Sequence, residues 1–153
     1  MKNIARIGLA NSQRTDVFSA RKRSEVMSKI KGKDTTPEIR VRSALHRMGF
    51  RFRLHRRDLP GCPDIYIPRL GLTVFVNGCF WHLHPRCKDA RLPKSNIDFW
   101  REKLYRNRQR DAANARKLRR IGKQVLVLWE CDVERHQHDL CAYIGAILSD
   151  RFA

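Results

Sequence analysis

A cluster of cysteines and histidines is the part of this chain best suited to chemistry. Cys79, His84 and Cys87 lie close together, and Cys131 follows a distant apolar segment. Structural zinc sites take four Cys or His ligands, so these four residues form a candidate zinc set. The spacing also allows His82 in place of His84. Because the loop is polar and has little core of its own, a bound metal would stabilise its fold.

The alternative interpretation of the cysteines is that they are small apolar residues with no common role. Cys62, in a predicted turn, and Cys141, at the edge of a predicted apolar helix face, fit that interpretation. We therefore leave both outside the candidate zinc set.

A carboxylate and an imidazole are the candidates for catalysis. Asp64 follows Gly61, Cys62 and Pro63 and opens a predicted strand, and rigid scaffolds often present functional groups from such loop ends. A carboxylate there can bind Mg²⁺, which uses one or two carboxylates and keeps several waters. The alternative is an Asp that only caps a turn. His82 is a candidate proton-transfer group.

Two polar residues interrupt the apolar face of a long predicted helix. Continuing the spacing from Leu104 toward Ala115 reaches Asn107 and Asp111. Buried polar groups need partners, so they either bond to loop backbone or point into an active site. In the second case Asp111 can orient an imidazole such as His82.

Phe80 and Trp81 are adjacent to the candidate ligand Cys79. Aromatic rings on a fixed loop can stack on bases or wedge between base steps of DNA. The alternative is that both rings belong to the core, where large apolar side chains are usually found.

The predicted elements form an α/β protein with a mixed central sheet flanked by helices. The first complete helix should have Thr36 as N-cap and Pro37 at its first position, and should end at Met48 before Gly49. The near-continuous apolar run of the last strand predicts a central position, buried on both faces. The other expected elements are a short helix in Arg21–Ile30, strands Phe50–Leu54, Asp64–Ile67 and Leu72–Val76, a hairpin turn Pro68–Gly71, a helix capped by Ser95 and reaching Ile121, strand Gln124–Trp129, and a helix near Gln137–Ser149.

Size and charge point to one basic domain that binds nucleic acid. The chain has 153 residues and 33 Lys and Arg against 15 Asp and Glu, a net charge of +18. Such an excess favours binding to phosphate backbones. Residues 1–18 should form a flexible basic arm, and residues 19–153 one domain. We expect a cytoplasmic, nucleoid-associated, bacterial-type protein with no membrane contact, because neither a signal region nor a membrane-length apolar run is present.

With these residues in place, the chain resembles the very-short-patch-repair (Vsr) DNA mismatch endonucleases. Those enzymes nick one strand at T:G mismatches left by deamination of 5-methylcytosine. The similar segments run in order from Ser19 to Cys131 and are Met27–Ile30, Thr35–Glu38, Leu59–Asp64, Val74–Cys87, Phe99–Lys103, Asn107, Arg110–Asp111 and Val125–Cys131. The resemblance implies a restriction-endonuclease-like core.

The resemblance also assigns catalytic roles. It implies that Asp64 and the backbone carbonyl of Val76 hold a catalytic Mg²⁺. His82 would be the general base, supported by Asp111, and Glu38 would act through metal-bound water.

Further roles in zinc binding and DNA contact follow from the same resemblance. The implied zinc ligands are Cys79, His84, Cys87 and Cys131. Met27, Phe80 and Trp81 would wedge into the duplex beside the mismatch. Its expected partner is double-stranded DNA with a T:G mismatch, bound by a monomer, and mismatch-repair proteins are candidate partners.

Two departures from the wider pattern matter. The Glu-x-Lys signature usual in this fold is absent, and Phe75-Val76-Asn77 stands there. Asn77 also occupies a position that is often His in the family. The rival functions are a nuclease of other mismatch or site specificity and a non-catalytic, zinc-stabilised nucleic-acid-binding protein. The acids Glu38, Asp64 and Asp111 argue against the second, since they would repel phosphate.

Overall fold

A four-stranded mixed sheet organises the part of the chain that the computed structural model describes, namely Ser19, Arg21, Lys22, Glu25 and residues 32–152. The strands are β1 (Arg53–Leu54), β2 (Ile65–Ile67), β3 (Leu72–Asn77) and β4 (Gln124–Trp129). The predicted arm, residues 1–18, lies outside the described residues, as does Met27. Arg21, Lys22 and Glu25 are helical, in agreement with the short helix expected there.

Neighbouring strands follow the chain in the order β1-β2-β3-β4. The pairs β1/β2 and β2/β3 are antiparallel, and β3/β4 is parallel, with Asn77 opposite Trp129. The predicted turn before β3 is present, and Gly71 adopts the left-handed conformation (φ 58°) that glycine tolerates best. The parallel pairing puts the carboxyl ends of β3 and β4 at one edge of the sheet.

Helices cover both faces of the sheet. The helices are α1 (Thr36–Arg47), α2 (Ile97–Arg120), α3 (Glu130–Arg135) and α4 (Leu140–Phe152), and short 3-10 turns occupy Pro68–Leu70 and Lys88–Ala90. The larger core joins α1, α3 and α4 to one face, through residues such as Leu45, Val74, Leu126 and Ile144. On the other face Leu118 of α2 packs with Tyr66 and Val125. The predicted α/β architecture with a mixed sheet and flanking helices is confirmed.

The predicted central position of β4 is wrong. Within the described residues β4 pairs only with β3 and forms an edge of the sheet. Its apolar run has another cause. Leu126 and Leu128 face the larger core and Val125 packs under α2, but Val127 is 38% exposed because it faces an open cavity beside α2.

Element ends also differ from the predictions. Thr35 rather than Thr36 is the N-cap of α1, and α2 begins after Asn96, which has a left-handed backbone (φ 50°), rather than after Ser95. Only Arg53 and Leu54 of the first predicted strand pair with β2. Phe50 and Phe52 pack against the larger core instead. Among the described residues, no helix has the length and apolar character needed to cross a bilayer.

Candidate active site and metal centre

One large cavity opens where β3 and β4 end, between α1 and α2. Its volume is about 1130 Å³. The predicted catalytic residues all line it: Glu38, Asp64, Val76, His82 and Asp111. The fold thus brings five residues from separate segments into a single space.

Asp64 lies at the start of β2, beside the end of β3. Its Oδ2 accepts a hydrogen bond of 2.8 Å from the Val76 amide. Burial raises the pKa of the Asp64 carboxyl above its usual range, and the nearby Glu38 carboxylate raises it further, while the Val76 N–H opposes the shift. No ion pair to Asp64 occurs within the described residues, so a divalent cation would stabilise its ionised form.

Glu38 is nearly fully buried in the cavity wall, with 3% of its surface exposed. Its Oε1 accepts a hydrogen bond from the Thr35 hydroxyl, and its Oε2 accepts from the Asp34 amide and from Arg42 Nη2, at 2.9, 2.9 and 2.8 Å. This arrangement is a variant of the capping box, which explains why α1 begins where it does. Glu38 therefore stabilises a helix end as well as facing the cavity.

His82 and Asp111, which both line the cavity, are in direct contact. His82 Nδ1 lies 2.5 Å from Asp111 Oδ2, and the two side chains are 24% and 31% exposed. Because a carboxylate only accepts hydrogen bonds, Nδ1 carries the proton and Nε2 is left as the free ring nitrogen. The imidazole is thus oriented with a basic nitrogen available to a water or a substrate.

The second polar residue of the interrupted helix face takes the other predicted role. Asn107 Nδ2 donates a hydrogen bond of 3.1 Å to the backbone carbonyl of Trp81. Asn107 therefore binds loop backbone, whereas Asp111, one turn later, faces the cavity. Of the two roles expected for these polar residues, Asn107 therefore has the bond to loop backbone and Asp111 has the position in the candidate active site.

Four candidate zinc ligands converge beside the cavity. The ligand atoms of Cys79, His84, Cys87 and Cys131 all lie within 4.8 Å of one another, and His82 is not among them. Cys79 lies two residues after β3, and Cys131 is the second residue of α3, which begins directly after β4. Since those strands are parallel neighbours, their ends place the two thiols together.

The distances within this cluster suit a tetrahedral ion. His84 Nδ1 is 3.5 Å from Cys79 Sγ and 3.3 Å from Cys131 Sγ. Zn–S bonds of about 2.3 Å and Zn–N bonds of about 2.0 Å put such atoms about 3.5 Å apart. Without a cation, burial raises the pKa of the Cys79 thiol to about 12. A bound dication reverses that preference and favours the thiolate.

The backbone around the cluster adopts costly conformations. Leu83 and Arg86 have positive φ angles of 50° and 58°, which are uncommon for residues other than glycine. The His84 amide donates to the Cys79 carbonyl at 3.0 Å, and the His84 ring stacks on Trp129 at 4.1 Å. The cluster thus sits on a tightly turned loop that needs support from several contacts.

Phe80 and Trp81 belong to neither core cluster and are half-buried. Their ring centroids are 5.0 Å apart, and they lie 5.4 and 6.0 Å from the ring of Trp100 on α2. The Lys103 ammonium lies 5.4 Å from the Trp81 ring. The result is a partly exposed aromatic cluster with a cation beside it, rather than a buried core.

Comparisons with known proteins are consistent with this arrangement. The family model of the DNA mismatch endonuclease Vsr matches residues 15–88. A type II nicking enzyme of Xanthomonas oryzae pv. oryzae, V.XorIIP, is 47% identical over 119 residues, which cover 78% of this chain and 87% of that protein. The chain belongs to the Vsr family. It is therefore a DNA endonuclease, a hydrolase whose substrate is DNA.

Two further relatives support the membership of the Vsr family. V.NmeAIP, a type II nicking enzyme of Neisseria meningitidis serogroup A, is 45% identical over 120 residues, covering 78% of this chain and 85% of the relative. The DNA mismatch endonuclease Vsr of Escherichia coli K12 is 37% identical over 116 residues, covering 76% and 74%. The resemblance expected from the sequence motifs is confirmed.

Several cavity residues of this Vsr-family chain escaped prediction from the sequence. Glu130 Oε2 accepts a hydrogen bond of 3.3 Å from the Cys79 amide, and both Glu130 and Glu134 line the cavity. His55 lines it as well. Glu130 lies directly after β4 and before Cys131. With the parallel pairing of β3 and β4 known, this position would have predicted that Glu130 lies near Cys79.

Proposed function

We propose that this protein nicks one strand of duplex DNA next to a T:G mismatch, in very short patch repair of deaminated 5-methylcytosine. The observation that carries the proposal is that a half-buried Asp64 and an imidazole oriented by Asp111 line the same cavity. Membership of the Vsr family gives the reaction class. The Escherichia coli relative is itself called a DNA mismatch endonuclease.

In the proposed mechanism, His82 takes a proton from the attacking water through its free Nε2. Asp111 keeps Nδ1 protonated and stabilises the imidazolium that forms. A general base works best when its ring is fixed before the substrate arrives, and the 2.5 Å contact to Asp111 provides that restraint.

Asp64 and the backbone carbonyl of Val76 are the proposed Mg²⁺ ligands. Oxygen donors of this kind suit Mg²⁺, which when bound neutralises charge that develops on the phosphate in the transition state. The raised pKa of the Asp64 carboxyl supports the assignment, because within the described residues no ion pair to this carboxylate offsets its burial. Glu38, whose two oxygens already hold the start of α1, contributes through a water molecule.

The second proposed metal is a structural Zn²⁺ held by Cys79, His84, Cys87 and Cys131. A closed set of four Cys and His ligands is typical of structural rather than catalytic zinc. We propose that this ion fixes the loop from which Phe80, Trp81 and His82 project. We also propose that the core of the protein is restriction-endonuclease-like.

Phe80 and Trp81 are proposed to enter the duplex beside the mismatch, with Met27, which lies outside the described residues. The partial exposure of the two rings and the neighbouring Lys103 ammonium support contact with DNA. A T:G pair is easier to unstack than a matched pair, so a wedge favours the mismatch. A monomeric state and a cytoplasmic location remain predictions.

A panel of duplexes tests the proposal. Each duplex carries one mismatch or none, in several sequence contexts, with each strand labelled in turn. We expect a nick on one strand at T:G, dependent on added Mg²⁺. Nicking of other mismatches or of a fixed matched site would support the rival nuclease, and binding without any nicking would support the non-catalytic rival.

A further inference from the structure

His55 is a second imidazole that lines the cavity, and it comes from a different segment of the chain than His82. It follows β1, and its amide donates a hydrogen bond of 3.3 Å to the backbone carbonyl of Asp64. Its φ is 45°, a left-handed conformation, and its side chain is 27% exposed. The chain therefore turns sharply at His55 and keeps the ring next to the proposed Mg²⁺ ligand.

Arg42 defines which nitrogen of this ring is protonated. Arg42 Nη2 lies 3.0 Å from His55 Nε2. A guanidinium can only donate hydrogen bonds, so in this contact Nε2 accepts and the ring proton is on Nδ1. Asp34 Oδ1 lies farther from the same Nε2, at 3.4 Å, and already accepts a shorter bond from Arg42. Arg42 is itself held by two carboxylates, with Nη1 2.6 Å from Asp34 Oδ1 and Nη2 2.8 Å from Glu38 Oε2. The ring of His55 is thus oriented by a network that also contains Glu38.

The same network argues against a third metal site at these residues. Asp34, Glu38 and His55 have ligand atoms within 4.8 Å of one another. The guanidinium of Arg42 already lies among these atoms and supplies the positive charge that a metal would bring. Metal binding therefore does not account for the other ring nitrogen of His55, Nδ1.

The surroundings of His55 point to phosphate. Within the described part of the chain, His55 Nδ1 has no hydrogen-bond partner, and Lys33 and Arg57, both exposed, line the same cavity. Such a group of donors is the usual environment of a DNA backbone. We propose that His55 contacts the substrate, donating from Nδ1 to a phosphate oxygen of the strand that is cut. This inference rests on the proposed nuclease function.

Two substitutions separate the ring nitrogens. The amide nitrogen of His55→Asn can stand near Nδ1 and donate to phosphate, whereas His55→Gln reaches the position of Nε2 and can accept from Arg42. A hydrogen bond to a charged group corresponds to roughly a 10- to 100-fold effect on kcat/KM. We expect both variants to be slower than wild type in nicking a T:G duplex, with His55→Asn about tenfold faster than His55→Gln. Equal rates, or a faster Gln variant, would overturn the proposal.

Neutral phosphates provide a readout that a purely structural role would not change. In a series of duplexes, each phosphate near the cut, except the cleaved one, is replaced in turn by a methylphosphonate. At one position the difference between wild type and His55→Gln should shrink by about tenfold. A difference that stays constant at every position contradicts the contact. Thermal unfolding shows whether each variant is folded at the assay temperature.

The same experiment distinguishes failure of this inference from failure of the proposed function. If wild type does not nick the T:G duplex, the proposed function fails, and the variants are compared by their Kd for that duplex and its methylphosphonate series. If wild type nicks and the series shows no position specific to His55, only the present inference fails.

Discussion

Asp111→Asn removes the charge beside His82 and keeps nearly the same shape. In wild type the Asp111 carboxylate accepts a hydrogen bond from the His82 Nδ1–H at 2.5 Å. It also stabilises the imidazolium that forms when Nε2 takes a proton. An asparagine can still accept that hydrogen bond through its oxygen, but it brings no negative charge. The variant therefore measures the electrostatic part of the pair.

The structure sets the size of the expected loss. Opposite charges about 4 Å apart attract by roughly 4 kcal/mol at the effective dielectric constant of about 20 that suits protein sites. The two side chains are 24% and 31% exposed, so solvent screening reduces this, and we take about 2 kcal/mol. Since about 1.4 kcal/mol corresponds to a factor of ten in rate, kcat should fall about 30-fold.

Single-turnover nicking of a T:G duplex, with enzyme in excess, measures this step without product release. Asp150→Asn, an exposed residue in α4, is the matched control and should nick at the wild-type rate. Binding of the duplex should change little in Asp111→Asn, because the residue acts on the imidazole. Wild-type kcat in the variant, or a loss confined to Kd, would refute the reasoning about the pair.

Three further substitutions test separate parts of the account. Asp64→Asn should abolish nicking yet raise the melting temperature in Mg²⁺-free buffer at pH 7. Burial raises the pKa of the Asp64 carboxyl in the folded state, so the stability that this carboxyl contributes at low pH is lost as pH rises through the folded-state pKa. The melting temperatures of wild type and variant should therefore converge at about pH 4. A variant that is less stable than wild type at pH 7 would contradict this. Cys131→Ser should lose the single bound zinc by elemental analysis and melt at lower temperature, whereas Cys141→Ser, outside the cluster, should keep both; retained zinc in the first variant would exclude the assignment. Trp81→Ala should lower affinity for a T:G duplex about 5- to 100-fold, from the loss of stacking, and more than for a matched duplex; an equal effect from Tyr105→Ala, an exposed ring outside the aromatic cluster, would argue against a wedge.

Much of the fold was predictable because periodicity and turn residues are local. Strands β2, β3 and β4 and helices α1, α2 and α4 all appear near their predicted bounds. The position of β4 in the sheet was not predictable in this way. An apolar run reports burial of side chains, and an edge strand covered by helices on both faces gives nearly the same run as a central strand.

The same distinction, between patterns within one segment and contacts between segments, applies to the candidate site. The cysteine spacing and the polar interruption at Asp111 were visible in the sequence, because both depend on positions along one segment. The contact between Arg42 and His55 and the bond from the Cys79 amide to Glu130 join different segments, 13 and 51 residues apart in the chain. No local pattern encodes such pairs, so only the folded arrangement brings them to notice.

The most direct test is nicking of a T:G duplex labelled on either strand, by zinc-loaded protein with and without added Mg²⁺, comparing wild type with Asp64→Asn. We predict one nick in one strand for wild type, only with Mg²⁺, and no nick for Asp64→Asn, which should still bind the duplex. Cleavage without Mg²⁺, or nicking that survives in Asp64→Asn, would contradict a catalytic metal at Asp64 that is separate from the zinc cluster.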